Sequence, residues 1–264
     1  MTLQIDRLFG LSGKVALVTG GGRGLGKMIA EGFIAAGAAR VYIASRNAAA
    51  LEETAAEISG EGRCIALAAD LSTVAGCKAL AAEISSRETR LDMLVNNSGA
   101  AWAAPLENFP EHAWDKVFQL NLKAPFFLTA ALLPLLGAAA TPGDPARIVN
   151  VGSVAGEVAK SLGAYPYGLS KGALHQLTQM MAAEYAARHI TANALAPGRF
   201  PSKMTKNITE DENLYAEEVA AIPLGRFGRL EDIAGAALFL TSNAGAYVTG
   251  VVLPVDGGAA LNRG

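Results

Sequence analysis

The chain has 264 residues, of which 51% are apolar and 17% are charged, a composition that can bury a large core and excludes a disordered protein. Its 22 basic and 24 acidic residues leave a net charge of −2, which excludes the basic field that would attract nucleic acid or an anionic membrane. The two cysteines, Cys64 and Cys77, have neither metal-ligand nor disulfide spacing and fit a reducing cytoplasm. The N-terminal segment lacks the basic and apolar regions of a secretion signal, so we expect a cytoplasmic protein.

Seven short apolar runs alternate with longer alanine-rich segments along the chain. The runs are continuously apolar, which is typical of parallel strands covered by helices on both faces. This alternation predicts an α/β fold with a doubly wound parallel seven-stranded sheet, a Rossmann fold, in a single domain over residues 1–264. The predicted strands are 14–20, 40–45, 64–70, 91–97, 146–153, 190–196 and 251–257, and the predicted helices lie near 24–37, 48–59, 73–87, 111–136, 167–188 and 229–241.

Two segments differ from this pattern. Residues 126–140 form the longest apolar stretch and include Pro134. A membrane-spanning helix needs about 20 apolar residues, so we predict a buried core helix here. Residues 199–227 are the least regular part of the chain, and a connection of that length is more often a functional lid than a plain loop. The run AEEVAA within it indicates a short helix.

A glycine-rich turn follows the first predicted strand and opens the first predicted long helix. The sequence TGGGRGLG spans Thr19 to Gly26. A dinucleotide pyrophosphate needs a tight turn, close approach of the backbone and free N–H groups at a helix N-terminus. We therefore predict a dinucleotide site, the alternative being a purely structural turn. The predicted contacts are Gly20, Gly22, Arg23, Gly24, Leu25 and Gly26.

The residues after the second strand indicate which dinucleotide is bound. An acidic residue there would bond the ribose hydroxyls of NAD, but this chain has Ser45 and Arg46. The planar guanidinium of Arg46 fits a phosphate and Arg23 adds a second positive charge, so NADP(H) is predicted. The alternative is a pair of solvated surface arginines. Further contacts are predicted at Asp70 and Leu71, after the third strand, and at Asn97 and Gly99, after the fourth.

Polar side chains from three segments are expected to meet at the carboxyl ends of the strands. Ser153 ends the fifth strand, Asn121 lies in the helix after the fourth, and Tyr167 and Lys171 lie four residues apart on one helix face. Reduction of a ketone needs a hydride at the carbonyl carbon and a proton at its oxygen. A lysine ammonium lowers the pKa of a nearby phenol, which can then supply the proton. Ser153 would hold the carbonyl oxygen, and Asn121 would hold a water that links Lys171 to solvent.

A second tyrosine, Tyr165, lies two residues before Tyr167. It has no lysine at the same spacing, and Pro166 biases it towards an extended conformation ahead of the helix. We expect Tyr165 to line the substrate pocket or to pack, and Tyr167 to be the acid.

These motifs together resemble those of the short-chain dehydrogenase/reductase family. The resemblance covers Lys14 to Gly258 and departs from the family at Ser98, where alanine is most common. It implies a usually tetrameric enzyme in which Tyr167 is the acid/base and Lys171 both lowers its pKa and bonds the nicotinamide ribose. The apolar run 248–261 is a candidate for the subunit contact. The residues that carry the resemblance, with the cofactor contacts it implies, are TGGGRGLG, Asn96 to Gly99, Asn121, Ser153, Tyr167, Lys171, Pro197, Gly198 and Phe200.

Residues 152–156, 164–177 and 196–205 further resemble the β-ketoacyl reductases of rhamnolipid-producing bacteria and related NADPH-dependent ketoreductases. That resemblance implies reduction of a β-ketoacyl thioester or of another ketone. An acidic carrier protein would gain little attraction here, because Ala183 stands where carrier-dependent enzymes often have arginine. In addition, no basic residue lies between Ala124 and Ala146.

We therefore expect a free, bulky, apolar ketone or secondary alcohol as the substrate. The alternative is a 3-oxoacyl thioester on coenzyme A or a carrier protein, and a non-catalytic NADP sensor is a remote one. The predicted pocket residues are Trp102, Tyr165, Phe200 and Met204, with Phe109 and Leu214 nearby. No metal is predicted, because His112, His175 and His189 have no ligand partners.

Overall fold

Seven strands form one parallel sheet in the structure, a computed structural model that describes residues 4–59, 62–158, 163–202 and 205–261. The strands are β1 (Val15–Thr19), β2 (Arg40–Ser45), β3 (Cys64–Ala68), β4 (Met93–Asn96), β5 (Ala146–Val151), β6 (Ile190–Pro197) and β7 (Val252–Val255). Their order is β3-β2-β1-β4-β5-β6-β7, and every neighbouring pair is parallel. Strands β1 to β3 are added towards one edge of the sheet and strands β4 to β7 towards the other, so the strand order reverses between β1 and β4. The predicted single-domain, doubly wound Rossmann fold is therefore confirmed.

Helices cover both faces of this sheet. They are α1 (Ile5–Phe9), α2 (Gly24–Ala35), α3 (Ala48–Ile58), α4 (Val74–Arg87), α5 (Glu111–Phe118), α6 (Ala124–Ala139), α7 (Tyr165–Tyr185), α8 (Lys206–Thr209), α9 (Glu212–Ala220) and α10 (Leu230–Thr241). Neighbouring strand residues point to opposite faces, so Leu17 joins the core with Leu132 of α6, while Val18 joins the core with Phe33 of α2. Both faces of the sheet are therefore buried, which explains why the strands are continuously apolar.

The structure differs from the predicted helices in four places. Helices α1 and α8 are additional, and none of the residues of α1 is buried. The predicted helix 111–136 is interrupted by a π-helical turn over Gln119–Lys123. Helix α7 begins at Tyr165, so the extended conformation expected for this residue is wrong. Pro166 is tolerated in the first helical turn because an N–H there would have no acceptor within the helix.

The apolar stretch near residues 126–140 belongs to a longer helical run. The run Glu111–Ala139 is long and apolar enough to cross a membrane by length and composition. Its second half, α6, buries Leu128, Leu132 and Leu136 and contacts α4 and the sheet. This packing is that of a core helix, as predicted.

Buried polar side chains form a ladder across the centre of the sheet. The amide of Asn96 donates to Oδ1 of Asn150 over 2.9 Å and to Oγ1 of Thr129 over 3.2 Å. The amide of Asn150 donates to Oγ1 of Thr178 over 2.9 Å, and this hydroxyl donates to the Leu174 carbonyl over 2.7 Å. The ladder links β4 and β5 to α6 and α7, the elements that flank the predicted catalytic residues.

Candidate active site

The glycine turn after β1 has the backbone geometry that its sequence predicts. Gly20 and Gly24 have φ angles of 68° and 53°, in the left-handed region that favours glycine. A Cβ atom on Gly26 would lie 2.4 Å from the carbonyl oxygen of Gly20 and 2.4 Å from Nδ2 of Asn97. A side chain at position 26 would therefore force the turn away from the start of α2.

Hydrogen bonds join the carboxyl ends of β1 and β4 next to this turn. The Thr19 hydroxyl accepts from the main-chain N–H groups of Asn97 and Ser98, each over 2.9 Å. The Asn97 side chain donates back to the Thr19 carbonyl over 2.8 Å. Because the strand order reverses between β1 and β4, this pair of ends marks the crevice in which ligands of such sheets bind.

The two predicted phosphate-binding arginines lie at the rim of this crevice. Arg23 is exposed at the N-cap of α2, and Arg46 is exposed directly after β2. The pKa of Asp70 is lowered mainly by a hydrogen bond from the Ser72 N–H and also by the positive charge of Arg46. Arg46 and Asp70 therefore border the same part of the rim. Of the other predicted cofactor residues, Leu71 and Pro197 are buried, Gly99 is exposed, and Gly22, Leu25, Ser45, Asn97 and Gly198 are half-buried.

Asn121 lies fully buried in the π-helical turn. Its Oδ1 accepts from the N–H of Ala100 over 2.8 Å, and its Nδ2 donates to the Ala100 carbonyl and to Oγ of Ser170 over 2.9 and 3.0 Å. Both amide hydrogens are thus used to join the loop after β4 to α7. The expected water would therefore have to donate to an oxygen of Asn121, since the amide hydrogens are committed to these contacts.

Lys171 is buried next to the end of β5. Its Nζ donates to the Val151 carbonyl over 2.6 Å and lies 5.8 Å from the centre of the Tyr167 ring. Burial lowers the pKa of Lys171 to about 8, because the charged form loses solvation.

Tyr167 and Ser153 face each other at the carboxyl end of β5. Burial raises the pKa of Tyr167, and hydrogen bonding with Ser153 and the positive charge of Arg199 act in the opposite direction. Lys171, which the sequence predicts to lower this pKa, has its Nζ 5.8 Å from the Tyr167 ring centre and donates to the Val151 carbonyl. The Ser153 hydroxyl also accepts from the Ala155 N–H over 3.1 Å.

An open cavity of about 590 Å³ lies beside Tyr165, which forms one of its walls. The cavity is otherwise lined by residues 103–107 and Gly163. Phe109 packs edge-on against Tyr165, with ring centres 6.4 Å apart. Trp102 is 37% exposed, and Lys116 lies 5.5 Å from the centre of its ring.

Four of the other expected residues, Trp102, Phe109, Phe200 and Leu214, are not among the described residues that line this cavity. The Phe200 side chain is only 4% exposed and lies in the core, where a Cβ atom on Gly228 would be 2.3 Å from its ring. The Phe200 ring therefore does not form the expected pocket wall. The main chain of Phe200 nevertheless continues the Pro197–Gly198 segment. Met204 lies outside the described residues, and Leu214 is exposed on α9. Among the described residues, no group of three or more His, Cys, Asp or Glu side chains is placed to hold a metal ion.

Arg199 is a site residue that the motifs did not single out. Its guanidinium makes two hydrogen bonds to the carboxylate of Glu218 on α9, over 2.8 and 3.0 Å, and its charge acts on Tyr167. The sequence signal is its position directly after Pro197–Gly198, at the carboxyl end of β6. The partner on α9 could not be foreseen, because it depends on how the segment 199–227 folds.

Comparison with known proteins assigns this geometry to a family. Residues 20–260 match the family profile described as enoyl-(acyl carrier protein) reductase. The chain is 50% identical over 250 residues to the rhamnolipids biosynthesis 3-oxoacyl-[acyl-carrier-protein] reductase of Pseudomonas aeruginosa, covering 95% of this chain and 97% of that protein. The chain belongs to the short-chain dehydrogenase/reductase family. It is therefore an oxidoreductase.

Solved structures of other short-chain dehydrogenases/reductases agree with the fold over nearly the whole chain. The Pseudomonas aeruginosa RhlG/NADP active-site complex has a TM-score of 0.94 at 49% identity, covering 96% of this chain and 99% of that one. A gluconate 5-dehydrogenase from Burkholderia cenocepacia in complex with NADP and tartrate has a TM-score of 0.89 at 34% identity, covering 98% and 99%. The family thus includes relatives of this chain with different named substrates.

The buried ammonium of Lys171 makes stability depend on pH. Its pKa in the folded protein, about 8, is below the usual value of 10.5. Between these values the unfolded chain holds a proton that the folded protein has released, so this group makes folding more favourable as the pH rises. We expect the free energy of unfolding of the wild type, relative to Lys171→Met, to increase from pH 8 to pH 10.5 in urea titrations.

Lys78→Met provides the matched control, because Lys78 is exposed on α4. Its difference from the wild type should stay constant over the same pH range. A Lys171→Met difference that is equally constant would contradict the depressed pKa.

Proposed function

We propose that this enzyme uses NADP(H) to interconvert a 3-oxoacyl thioester and the corresponding 3-hydroxyacyl thioester. The observation that carries the proposal is the convergence of Ser153, Tyr167 and Lys171 at the carboxyl edge of the sheet. The open cavity of about 590 Å³ is lined by Tyr165, two residues before Tyr167, and by none of these three residues. The 50% identity to a named 3-oxoacyl reductase supports the thioester. It does so better than it supports the free bulky ketone that the sequence led us to expect.

The residues of the crevice fit NADP(H). The turn has no room for a Cβ atom at Gly20 or Gly26, and α2 begins directly after it, so the free N–H groups of that helix end are available to a pyrophosphate. Arg46 and Arg23 are exposed at the rim and can meet a ribose phosphate. Relatives of this chain have been crystallised with NADP, which supports the same cofactor here.

Bound NADPH supplies the hydride that the carbonyl carbon of the substrate receives. The Ser153 hydroxyl donates a hydrogen bond to the carbonyl oxygen and stabilises the negative charge that develops on it. Tyr167 transfers its phenolic proton to that oxygen, which completes the secondary alcohol and leaves a phenolate. Lys171 stabilises this phenolate with its ammonium, and Asn121 keeps α7 fixed against the loop after β4.

A free apolar ketone is the second candidate substrate. It is favoured by the lack of basic residues between Ala124 and Ala146, which gives an acidic carrier protein little attraction near the site. α6 and α7 instead expose Phe126 and Met180 at 47% and 60%. These observations speak against a substrate held by an acidic carrier protein. They are compatible with a free ketone and equally with a coenzyme-bound thioester.

Three expectations from the sequence accompany this proposal. We propose that residues 199–227 act as a lid, and the pairing of Arg199 with Glu218 on α9 supports a link between that segment and the site. We also propose a homotetramer, with residues 248–261 at a subunit contact, and a cytoplasmic location. None of the three changes the assignment of the catalytic residues.

The substrate class can be tested by comparing kcat/KM for NADPH-dependent reduction of acetoacetyl-CoA and of a bulky aryl ketone. We expect the thioester to be preferred by about tenfold or more, since its binding uses more of the site than a single carbonyl contact. A preference for the aryl ketone would select the second candidate. Lack of NADPH oxidation with any ketone or thioester would favour the sensor.

Tyr167→Phe should reduce turnover by about 10²-fold or more, because it removes the proton donor. NADPH affinity, measured by fluorescence titration, should change by less than about twofold, because the ring is kept. Tyr247→Phe is the matched control and should keep kcat, since Tyr247 is fully exposed before the amino end of β7. Retention by Tyr167→Phe of more than about 5% of wild-type turnover would overturn the assignment.

Arg46→Asp should move the cofactor preference from NADPH towards NADH. The substitution removes the phosphate partner and places a carboxylate where it can bond ribose hydroxyls and repel a phosphate. Fluorescence titration should show NADPH affinity falling by about tenfold or more. Arg7→Asp, at an exposed arginine on α1, should leave both affinities unchanged. Unaltered NADPH affinity in Arg46→Asp would remove Arg46 from the site.

A further inference from the structure

His175 occupies a buried position one helical turn beyond Lys171 on α7. It is 7% exposed, and its Nε2 has no hydrogen-bond partner among the residues that the structure describes. A Cβ atom on Gly152 would lie 2.0 Å from this nitrogen. Gly152 is not one of the described glycines that have a positive φ, so its backbone conformation does not require glycine. The imidazole therefore fills the space that a side chain at position 152 would need.

Gly152 directly precedes Ser153. Both belong to the loop of residues 152–157, which packs closely on α7 and is called the Ser153 loop. A Cβ atom on Gly156 would lie 2.7 Å from the main-chain nitrogen of Gly172, and one on Gly168 would lie 3.0 Å from the Ala155 carbonyl oxygen. With this close approach, any change in how the loop rests on α7 moves the Ser153 hydroxyl relative to Tyr167.

His175 contacts the beginning of this loop and faces its end. Its Nε2 lies against the position of Gly152, and its Nδ1 lies 3.8 Å from a carboxylate oxygen of Glu157. At that distance Nδ1 faces the carboxylate without a hydrogen bond to it. Burial, together with the charge of Lys171, lowers the pKa of His175 to about 4, so the ring is neutral at neutral pH. A neutral ring adds no second positive charge beside Lys171.

We infer that His175 is a positioning residue that holds the Ser153 loop against α7 through the close packing of its ring on Gly152. The inference rests on the proposed role of Ser153 in binding the carbonyl oxygen.

A double-mutant cycle between Gly152 and His175 tests this inference. Gly152→Ala alone should reduce kcat by about tenfold or more, because the new methyl group collides with the ring and shifts Ser153. His175→Ala alone should reduce kcat by about threefold to tenfold, because the loop loses its support. The double variant should lose less than the product of the two single losses, because removal of the ring leaves the Leu195 carbonyl oxygen, at 3.1 Å, as the nearest atom to the new methyl group.

Two further variants separate positioning from general damage. His175→Asn keeps part of the side-chain volume beside Gly152 and should recover part of the activity that His175→Ala loses. Gly235→Ala is the matched control for adding a methyl group, since no atom lies within 4 Å of its Cβ position, and it should leave kcat unchanged. In every variant NADPH affinity should stay within about twofold of the wild type.

A measurement that does not depend on turnover completes the test. The ¹³Cζ resonance of Tyr167, identified by its loss in Tyr167→Phe, reports the environment of the phenol. Ser153→Ala should move this resonance, and His175→Ala should move it in the same direction. A wild type that reduces neither ketones nor thioesters would end the proposed function, while the resonance would still decide whether His175 positions Ser153.

The inference is overturned if His175→Ala keeps kcat within about twofold of the wild type and leaves the Tyr167 resonance in place. It is also overturned if the losses in the double variant multiply, since the two residues would then act independently. A fall in kcat that is matched by losses of NADPH affinity and melting temperature would mean that His175 serves stability alone.

Discussion

The buried amide of Asn150 is the contact on which the arrangement of the site depends. It joins Asn96 on β4 to Thr178 on α7 and is fully buried itself. An unpaired buried polar group costs about 1–3 kcal/mol, so any shift of α7 along the sheet would leave more than one such group unpaired. The ladder therefore fixes α7 to the strand ends. Tyr167 and Lys171 lie on α7 and Ser153 follows β5 by two residues, so this registration sets their relative positions.

Much of the fold and of the nucleotide end could be predicted because the signals are local. Continuous apolar runs identify buried parallel strands, and the glycine spacing of the first turn reflects backbone angles that few other residues adopt. The parts that could not be predicted depend on distant contacts. The π-helical turn is fixed by bonds from Asn121 to Ala100 and Ser170, which lie 21 and 49 residues away. Likewise, the ring of Phe200 lies in the core and packs closely against Gly228, which is distant in the sequence.

The substrate shows where reasoning from charge alone reaches its limit. The lack of basic residues near the site argued against a carrier protein, and the sequence therefore favoured a free ketone. The relationship to a 3-oxoacyl reductase favours a thioester instead. The two observations agree if the thioester is not delivered by an acidic carrier, because charge on the surface bears on how the substrate arrives and not on which carbonyl is reduced.

The π-helical turn over Gln119–Lys123 has a consequence for changes in chain length. Such a turn contains one residue more than an α-helical turn, and each residue of a helix turns the chain by about 100°. Deleting one residue here would give a more regular helix, yet it would rotate α6 relative to α5 by that angle. Either Asn121 would turn away from Ala100, or the apolar face of α6 would turn away from the sheet. The extra residue therefore lets Asn121 face Ala100 while the apolar face of α6 faces the sheet. Its loss would make the helix more regular but would break one of these two contacts.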